Sequence, residues 1–450
     1  MNSDKLYSKC PRVGLVSLGC SKNAVDSEIL LGELKSRGFD IVNDAAQAEI
    51  IIVNTCGFIE SAKTDSIDTI LDMAQYKTAG SCKLLVVTGC LSQRYGDELA
   101  RELPEVDVFN GVKNYPALAE RLAEICGVEP APENANAAAC CGIPKRLLTT
   151  PSYRAYLRIA DGCDNRCTYC AIPLIRGGRV STPMETLLAE AEQLAKSGVT
   201  ELTVIAQDTS AYGIDLYGKP MLRELLEKLT EIEGLHWVRV LYAYPNTVTE
   251  ELVDAMYRNP KICNYIDIPI QHISAHMLRD MNRHGSAEHI REITDYIRRS
   301  APGFILRTTV MLGFPGETEA DFDELMHFMA EHPFDRVGAF TYSAEDGTPA
   351  ASMPNAVDAE TAEQRLDRLM RQQMNRARIG TVFEALVDGA DEEFLFCRSY
   401  AEAADVDGII KVPHCGNPVP AGSYVSIKIT GADYYDLCGE LVPPLKTVIR

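Results

Sequence analysis

The sequence predicts an α/β protein in three parts: an N-terminal open parallel α/β sheet domain, a central partial TIM-like (β/α)6 barrel, and a small C-terminal antiparallel β-barrel resembling an OB-fold. Three observations carry this expectation. Short apolar runs alternate with helix-period segments through residues 11–126, and a second alternation, of six strand–helix units, begins at Tyr153. The last 70 residues hold only short strands separated by turns. A chain of 450 residues also exceeds what one core organises, so several domains are expected.

In the first part, RVGLVSLGC is followed by AVDSEILLGELKSRG, whose apolar residues recur at helical spacing and which stops at Gly38. AEIIIVNTC and CKLLVVTGC are β-rich runs, each again followed by a helix-like segment. In an open parallel sheet, binding sites form beyond the carboxyl ends of the strands. Cys20, Cys56 and Cys90 each end one of these runs, so distant positions are expected to converge on one rim, with three ordinary core thiols as the plainer alternative. The domain is expected to span 8–126 and to be followed by a linker, 127–152, rich in Ala, Pro and Asn. Adjacent Cys140 and Cys141 in that linker are assigned no role.

The barrel is expected over 153–377, with strands AYLRIADGC, ELTVIAQDT, HWVRVLYAYP, YIDIPIQHI, ILRTTVMLGF and RVGAFTYSAE. Thr182-Pro183-Met184-Glu185 reads as a capping box with Pro at the first helical position, and Gly198 ends that helix. Thr247 and Glu250 offer a second box. GCDNRCTYC follows the first strand and so lies at the rim where such barrels hold their active sites. A charged helical stretch leads into the terminal barrel, 378–446, with strands TVFEALVDG, FLFCRSY, GIIKV, SYVSIKITGA and DLCGELV.

Hydrophobic content of 46% and charged content of 24% are those of a globular protein. No run is long enough to span a membrane, and MNSDKLYSK lacks the apolar core of a signal peptide, so a cytoplasmic, membrane-free protein is expected. In that compartment fifteen cysteines read as metal ligands and scattered core thiols, not disulfides. Lys and Arg total 44 against 64 Asp and Glu, a formal charge of −20. Such a field disfavours a phosphate backbone and favours a basic protein, so nucleic acid is not the primary partner expected. Residues 381–450 share the bias, with 11 acidic and 5 basic side chains, net −6. Tyr434 and Tyr435, flanked by Asp433 and Asp436, read as protein-facing or core aromatics ahead of RNA-stacking ones.

The compact motif Cys163-x3-Cys167-x2-Cys170 supplies three thiolates from one loop. Three thiolates bind a 4Fe-4S cluster at three irons and leave the fourth open. Structural zinc would want a fourth Cys or His close by. The residues that follow, AIPLIRGGR, offer none, although a zinc loop stays an alternative. With the dispersed triad, the chain suggests two clusters, one to start a reaction and one to finish it.

Cys163, Cys167 and Cys170, with aromatic Tyr169 before the last, resemble the signature of radical S-adenosylmethionine enzymes. The resemblance implies that the open iron chelates S-adenosylmethionine and that an injected electron cleaves it to methionine and a 5′-deoxyadenosyl radical. Taken over nearly the whole chain, the three-part arrangement resembles the methylthiotransferases, with the terminal barrel a TRAM domain. LGCSKNAVDSE, AQDTSAYGIDLYG, IDIPIQHIS, CRSYAEAADVDG and ITGADYYDLCGE resemble the RimO branch; the tRNA-modifying MiaB branch usually shows Gln-Met-Asn in place of Ser21-Lys22-Asn23.

That resemblance implies methylthiolation of the β-carbon of one aspartate in small-subunit ribosomal protein twelve, free or on the ribosome. It implies two 4Fe-4S clusters, the second on Cys20, Cys56 and Cys90 and carrying the sulfur, and S-adenosylmethionine as both methyl donor and radical source. An electron donor such as flavodoxin or ferredoxin, a sulfur donor and a monomeric enzyme are expected with it. Tyr169, Gln207, Gln271 and Gly313 are the expected neighbours of S-adenosylmethionine. Gly313-Phe314-Pro315-Gly316-Glu317 lacks a P-loop Lys and reads as a tight turn, and His272 beside Gln271 serves equally as a structural residue. Two departures stand out: Ala206-Gln207-Asp208 where many radical enzymes carry Gly-Gly-Glu, and Cys438 where Trp is expected, a change read as one of barrel packing. The rivals are a tRNA adenosine methylthiotransferase, a non-enzymatic iron–sulfur carrier and a zinc-binding interaction protein.

Overall fold

A computed structural model of the chain describes residues 7–128, 143–372, 378–414, 416, 419–432 and 436–443; Cys140, Cys141, Asp433, Tyr434 and Tyr435 lie outside them. The described residues divide into two compact units. One takes in the chain up to Pro151 together with Tyr156–Glu190 and Ser343–Ala351; the other holds Ser152–Ala155, Ala191–Tyr342 and the chain from Ser352 onward.

The first unit opens with β1 (Arg12–Ser17), α1 (Ser21–Ser36), β2 (Asp40–Ile41), β3 (Ile50–Thr55), α2 (Glu60–Ala74), α3 (Tyr76–Ala79), β4 (Leu84–Gly89), α4 (Cys90–Glu102), β5 (Val108–Phe109) and α5 (Tyr115–Cys126). The strands form one sheet in the order β2-β1-β3-β4-β5, every pair parallel. Ile50 and Ile52 face one layer with Val13, Leu30, Leu34, Leu118 and Leu122, whereas Ile51 and Val53 face the other with Leu85, Val87, Ile70 and Leu99. This period of two on a sheet buried on both faces explains the uninterrupted apolar runs in the sequence. The strand order reverses between β1 and β3, which makes their carboxyl ends a natural binding crevice. β2 and β5, of two residues each, are too short to leave a strand pattern in the sequence.

Next come β6 (Arg154–Arg158), β7 (Ala160–Asp161), α6 (Ile172–Ile175), β8 (Val180–Ser181), α7 (Met184–Lys196), β9 (Glu201–Ile205), α8 (Ile214–Tyr217), α9 (Leu222–Thr230), β10 (Trp237–Val240), α10 (Glu250–Arg258), β11 (Tyr265–Asp267), α11 (Ala275–Asp280), α12 (Ala287–Ser300), β12 (Ile305–Leu312), α13 (Glu319–Glu331), β13 (Arg336–Thr341) and α14 (Ala359–Gln372). All six expected barrel strands are present. In the second unit β9 and β10 pair in parallel, a bridge from Val238 to Ile262 carries the ladder toward β11, and β11, β12 and β13 are parallel. The second expected capping box is corrected: Thr249, not Thr247, caps α10, accepting from Leu252 N at 3.3 Å. Thr247 ends a 3-10 turn instead, its hydroxyl bonded to Ser210 Oγ at 2.6 Å.

The terminal strands β14 (Val382–Ala390), β15 (Phe394–Ser399), β16 (Ile410–Pro413), β17 (Tyr424–Ala432) and β18 (Leu437–Val442) close into a barrel in the order β14-β15-β16-β18-β17. All pairs are antiparallel except β16 with β18. Its core is Phe383, Ala385, Val387, Leu395, Cys397, Ile410, Val412, Ile427, Ile429 and Leu437. A fully buried ion cluster joins it to the parallel wall: Glu201 of β9 receives Arg239 Nε at 3.1 Å and Arg398 Nη2 of β15 at 2.8 Å. No helix among the described residues is long and apolar enough to cross a membrane.

Candidate functional site

The dispersed cysteines stand at the carboxyl ends of three neighbouring strands. Cys20 lies three residues past the end of β1 and precedes α1, Cys56 directly follows β3, and Cys90 directly follows β4 as the first residue of α4. Each has a glycine beside it, and the missing side chains let the loops meet. Gly19 sits at φ +89°, and a Cβ there would come within 2.9 Å of Cys56 Cβ. A Cβ on Gly57 would lie 2.6 Å from Leu91 Cα, and one on Gly89, at φ +101°, 2.4 Å from the Thr55 carbonyl oxygen. Any side chain at these points forces backbone apart. The repeated pairing of Gly with Cys is the signal in the sequence that could have found this.

Asn23, on the first turn of α1, ties the three loops together. Its Nδ2 donates to Leu18 O at 3.0 Å, ahead of Cys20, and to Thr55 O at 2.9 Å, ahead of Cys56. Its Oδ1 accepts from Cys90 Sγ at 3.5 Å. Asn54 Nδ2 holds the Asn23 carbonyl in turn at 2.9 Å, and Ser66 Oγ accepts from Cys56 N at 3.0 Å. On the other side of Cys56, Arg94 Nη1 donates to Gly57 O at 3.1 Å and to Glu345 Oε2 at 2.8 Å. The triad grades from solvent to core: Cys20 is exposed, Cys56 half-buried and Cys90 buried.

Burial pushes the Cys90 thiol up to about 12 and outweighs the nearby Arg176 guanidinium, which pulls the other way; burial raises Cys56 as well. Both thiols therefore hold their protons at neutral pH until a metal displaces them. None of the described cysteines forms a disulfide. No three Cys, His, Asp or Glu side chains among the described residues crowd onto a single-ion site. A 4Fe-4S cluster distributes its thiolates over separate irons and so takes ligands spaced more widely.

The compact triad follows β7. Cys167 to Cys170 form one β-turn, closed by Cys170 N donating to Cys167 O at 3.0 Å, with Tyr169 at its second corner. Cys163 N donates to Gly177 O at 3.1 Å, and Gly162, at φ +73°, packs so closely on the Gly177–Gly178 backbone that a Cβ would come within 2.2 Å of Gly178 O. Thr168 O accepts from Ala350 N at 3.0 Å. Cys167 is buried, while Cys163 and Cys170 are half-buried.

Sequence reasoning passes over Arg176, which ends the short helix after Cys170. The side chain, 1% exposed, donates from Nη2 to Asn23 Oδ1 at 2.9 Å, to Asp26 Oδ2 at 2.8 Å and to Cys90 Sγ at 3.6 Å. Nη1 reaches Asp161 at 3.1 Å. The segment after the compact triad thus ends against the dispersed one.

In the second unit, Gln207 follows β9, while Gln271 and Gly313 flank the end of β12. Gln271 adopts φ +67°, its N donating to Thr309 O at 2.9 Å and its O accepting from Met311 N at 2.8 Å. Gly313, at φ +74°, donates its N–H to the Glu317 carboxylate, and Glu317 N returns to Phe314 O at 2.9 Å, the tight turn expected. Fully buried His272 accepts from Ser274 N at 3.0 Å through Nδ1 and faces Glu317 Oε1 at 3.9 Å through Nε2. Asp208 turns its Oδ1 on its own loop, accepting from Ser210 Oγ at 2.9 Å and Ala211 N at 3.2 Å. Cys438 corrects the packing expectation: it is exposed on β18, outside the barrel core.

Three family models match the chain: Uncharacterized protein family UPF0004 over residues 12–111, the Radical SAM superfamily over 157–329 and the TRAM domain over 379–442. Ribosomal protein uS12 methylthiotransferase RimO of Citrifermentans bemidjiense is 47% identical over 443 residues, 96% of this chain and 98% of that protein. The RimO proteins of Clostridioides difficile, 45% identical over 440 residues (96% of this chain, 99% of that one), and of Geobacter sulfurreducens, 46% over 448 residues (96% and 98%), are similar to the same extent. Among solved structures, the fold resembles the radical S-adenosylmethionine methyltransferase TsrM from Kitasatospora setae with cobalamin and a 4Fe-4S cluster bound. That match has a TM-score of 0.56 at 14% identity and covers 76% of this chain and 77% of the other.

Proposed function

Because this chain belongs to the RimO family of ribosomal protein uS12 methylthiotransferases, we propose that it inserts a methylthio group at the β-carbon of one aspartate of uS12. It is a radical S-adenosylmethionine enzyme. We assign a 4Fe-4S cluster to Cys163, Cys167 and Cys170 and an auxiliary 4Fe-4S cluster to Cys20, Cys56 and Cys90. The residues suit both groups: each set offers three soft thiol donors outside any disulfide, one fewer than a closed site uses. When bound, the clusters and S-adenosylmethionine supply the radical, the sulfur and the methyl group.

The chain's own residues supply position and shelter. The Cys167–Cys170 turn and the Gly177 contact fix the compact loop, Asn23 and the three glycines gather the dispersed thiols, and buried Cys90 keeps that crevice dry at its base. Tyr169, Gln207, Gln271 and Gly313 are proposed to border S-adenosylmethionine, with Gln271 and Gly313 presented by left-handed backbone at a strand end. The terminal barrel, net −6, is proposed to receive the basic substrate protein. A cytoplasmic monomer drawing on flavodoxin or ferredoxin and on a separate sulfur donor completes the proposal.

The observation that carries the reading is the convergence of Cys20, Cys56 and Cys90 at three adjacent strand ends, in a chain that also holds the compact triad. Mass spectrometry of uS12 from cells with and without the gene tests it. The methylthio mass should appear on uS12 only with the gene and vanish in Cys20→Ala, Cys56→Ala, Cys90→Ala cells. A modification found on tRNA instead would overturn the assignment.

A further inference from the structure

Arg176 stands out among the charged groups near the cysteines. It is carried by the segment of the compact triad, six residues past Cys170, yet its guanidinium ends on a ligand of the dispersed triad. It is 3% exposed overall, and it touches Cys90 Sγ and the Asn23 carboxamide that holds the loops of Cys20 and Cys56. Two carboxylates, Asp26 and Asp161, share its charge, and Asp26 also receives Arg158 Nη1.

We propose that Arg176 is a positioning residue that sets the reduction potential of the auxiliary cluster, with Asp26 as the counterweight that limits its effect. This rests on the assignment of that cluster to Cys20, Cys56 and Cys90. Cluster potentials follow net charge, hydrogen bonds to sulfur and burial. An N–H donor on a ligand sulfur and a buried positive charge both favour the state with one electron more, so Arg176 raises the potential. Asp26 opposes it by partly neutralising that charge.

The test is an EPR-monitored redox titration of the anaerobically reconstituted full-length protein, following the signal that S-adenosylmethionine leaves unperturbed. Arg176→Met should lower the potential by at least about tenfold in the reduction equilibrium constant, ~59 mV for one electron. Arg176→Lys, which keeps the charge but not the planar fork, should fall between Met and wild type. Asp26→Asn should move the potential the opposite way, upward. A purely structural role yields no such reversal of sign. If Arg176→Met does not fold, the Lys and Asn variants still decide the matter. Wild-type potentials in those variants, with iron at about eight per chain, would overturn this inference and leave the cluster assignment standing. A signal that survives Cys20→Ala, Cys56→Ala, Cys90→Ala would instead overturn the cluster assignment on which it rests.

Discussion

Replacing Asn23 with Ala should loosen the dispersed triad while leaving its cysteines intact. The substitution removes donors from Leu18 O and Thr55 O, and an acceptor from Arg176 and Cys90. Thr55 is fully buried, so its carbonyl loses a donor that water cannot replace. A buried group left unsatisfied costs about 1–3 kcal/mol, and a hydrogen bond to a charged partner is worth about 1.5–3. Leu18 is only half-buried and recovers part of its loss from solvent. Together these place the penalty near 3–5 kcal/mol, roughly, against a domain stability of about 5–15. Differential scanning calorimetry of the metal-free chain and iron analysis after reconstitution read the outcome. The first unfolding transition should move down, and iron should fall from about eight toward about four, the content of one cluster. Asn23→Asp, which keeps an acceptor for Arg176 but loses both donors, should be intermediate. An Asn23→Ala protein with unchanged unfolding and a full iron complement would refute the idea that this carboxamide gathers the three loops.

Replacing Cys163, Cys167 and Cys170 with Ala should leave one cluster and abolish cleavage of S-adenosylmethionine, whereas the Cys20, Cys56, Cys90 triple variant should retain cleavage and lose sulfur insertion; iron analysis and 5′-deoxyadenosine release separate the two. Gly57→Ala, whose methyl would press on Leu91 backbone, should cost about 1–3 kcal/mol of stability; Gly96→Ala, with open space around it, should be harmless in the same thermal scan. Burial alone would raise the Glu201 carboxyl, but Arg398 and Arg239 outweigh it and hold it at about 2, below its ordinary 4.5. Its folded pKa is depressed, so its stabilisation is present above pH 4.5 and is lost as pH falls toward about 2. Glu201→Gln should therefore destabilise by about 3–5 kcal/mol at neutral pH, by stranding two buried arginines. Unfolding followed from pH 7 downward should show the gap to wild type narrowing below pH 4.5. Reversing exposed Glu392, Glu393 and Glu440 to Lys should slow association with uS12 most at low ionic strength; a rate equal to wild type at low salt would remove the terminal barrel from substrate capture. Asp436 is a poor choice for that test, because it holds Lys411 at 2.8 Å and the Ile409 N–H at 3.1 Å.

What is legible in the sequence is local. Apolar runs mark β1, β3 and β4, because a sheet buried on both faces needs unbroken hydrophobic segments, and apolar-rich runs mark the six barrel strands. Strand order is not legible: the succession of runs is the same whether β3 lies beside β1 or beyond β2. The cysteines can be placed at strand ends, but their convergence depends on β1, β3 and β4 being neighbours. Buried charge is equally hidden. ELTVI reads as an ordinary strand, and nothing near Glu201 in the chain announces Arg239 or Arg398, respectively 38 and 197 residues away.

The candidate ligands are legible where their supports are not, for a related reason. A cysteine stands out as a candidate ligand by its residue type alone. Asn23 and Arg176 are chosen by the geometry of other loops, and that geometry exists only after folding. In the sequence Asn23 is simply the last member of Ser21-Lys22-Asn23, the one that both branches share. Arg176 lies in AIPLIRGGR, a stretch that matters to a ligand search only for the Cys or His it lacks. Yet a soft-metal site made of three thiolates carries negative charge that must be balanced where water is excluded. Cys90 is buried, so the cluster proposed for it would gain from a cation within its reach. Among the basic residues of the compact loop and its continuation, Arg176 is the one whose neighbours, Ile175 and Ala171, pack with Cys90 in one apolar cluster. The short helix after the compact triad therefore does two things at once: its apolar residues pack against Cys90, and its end brings the Arg176 guanidinium to the Cys90 thiol.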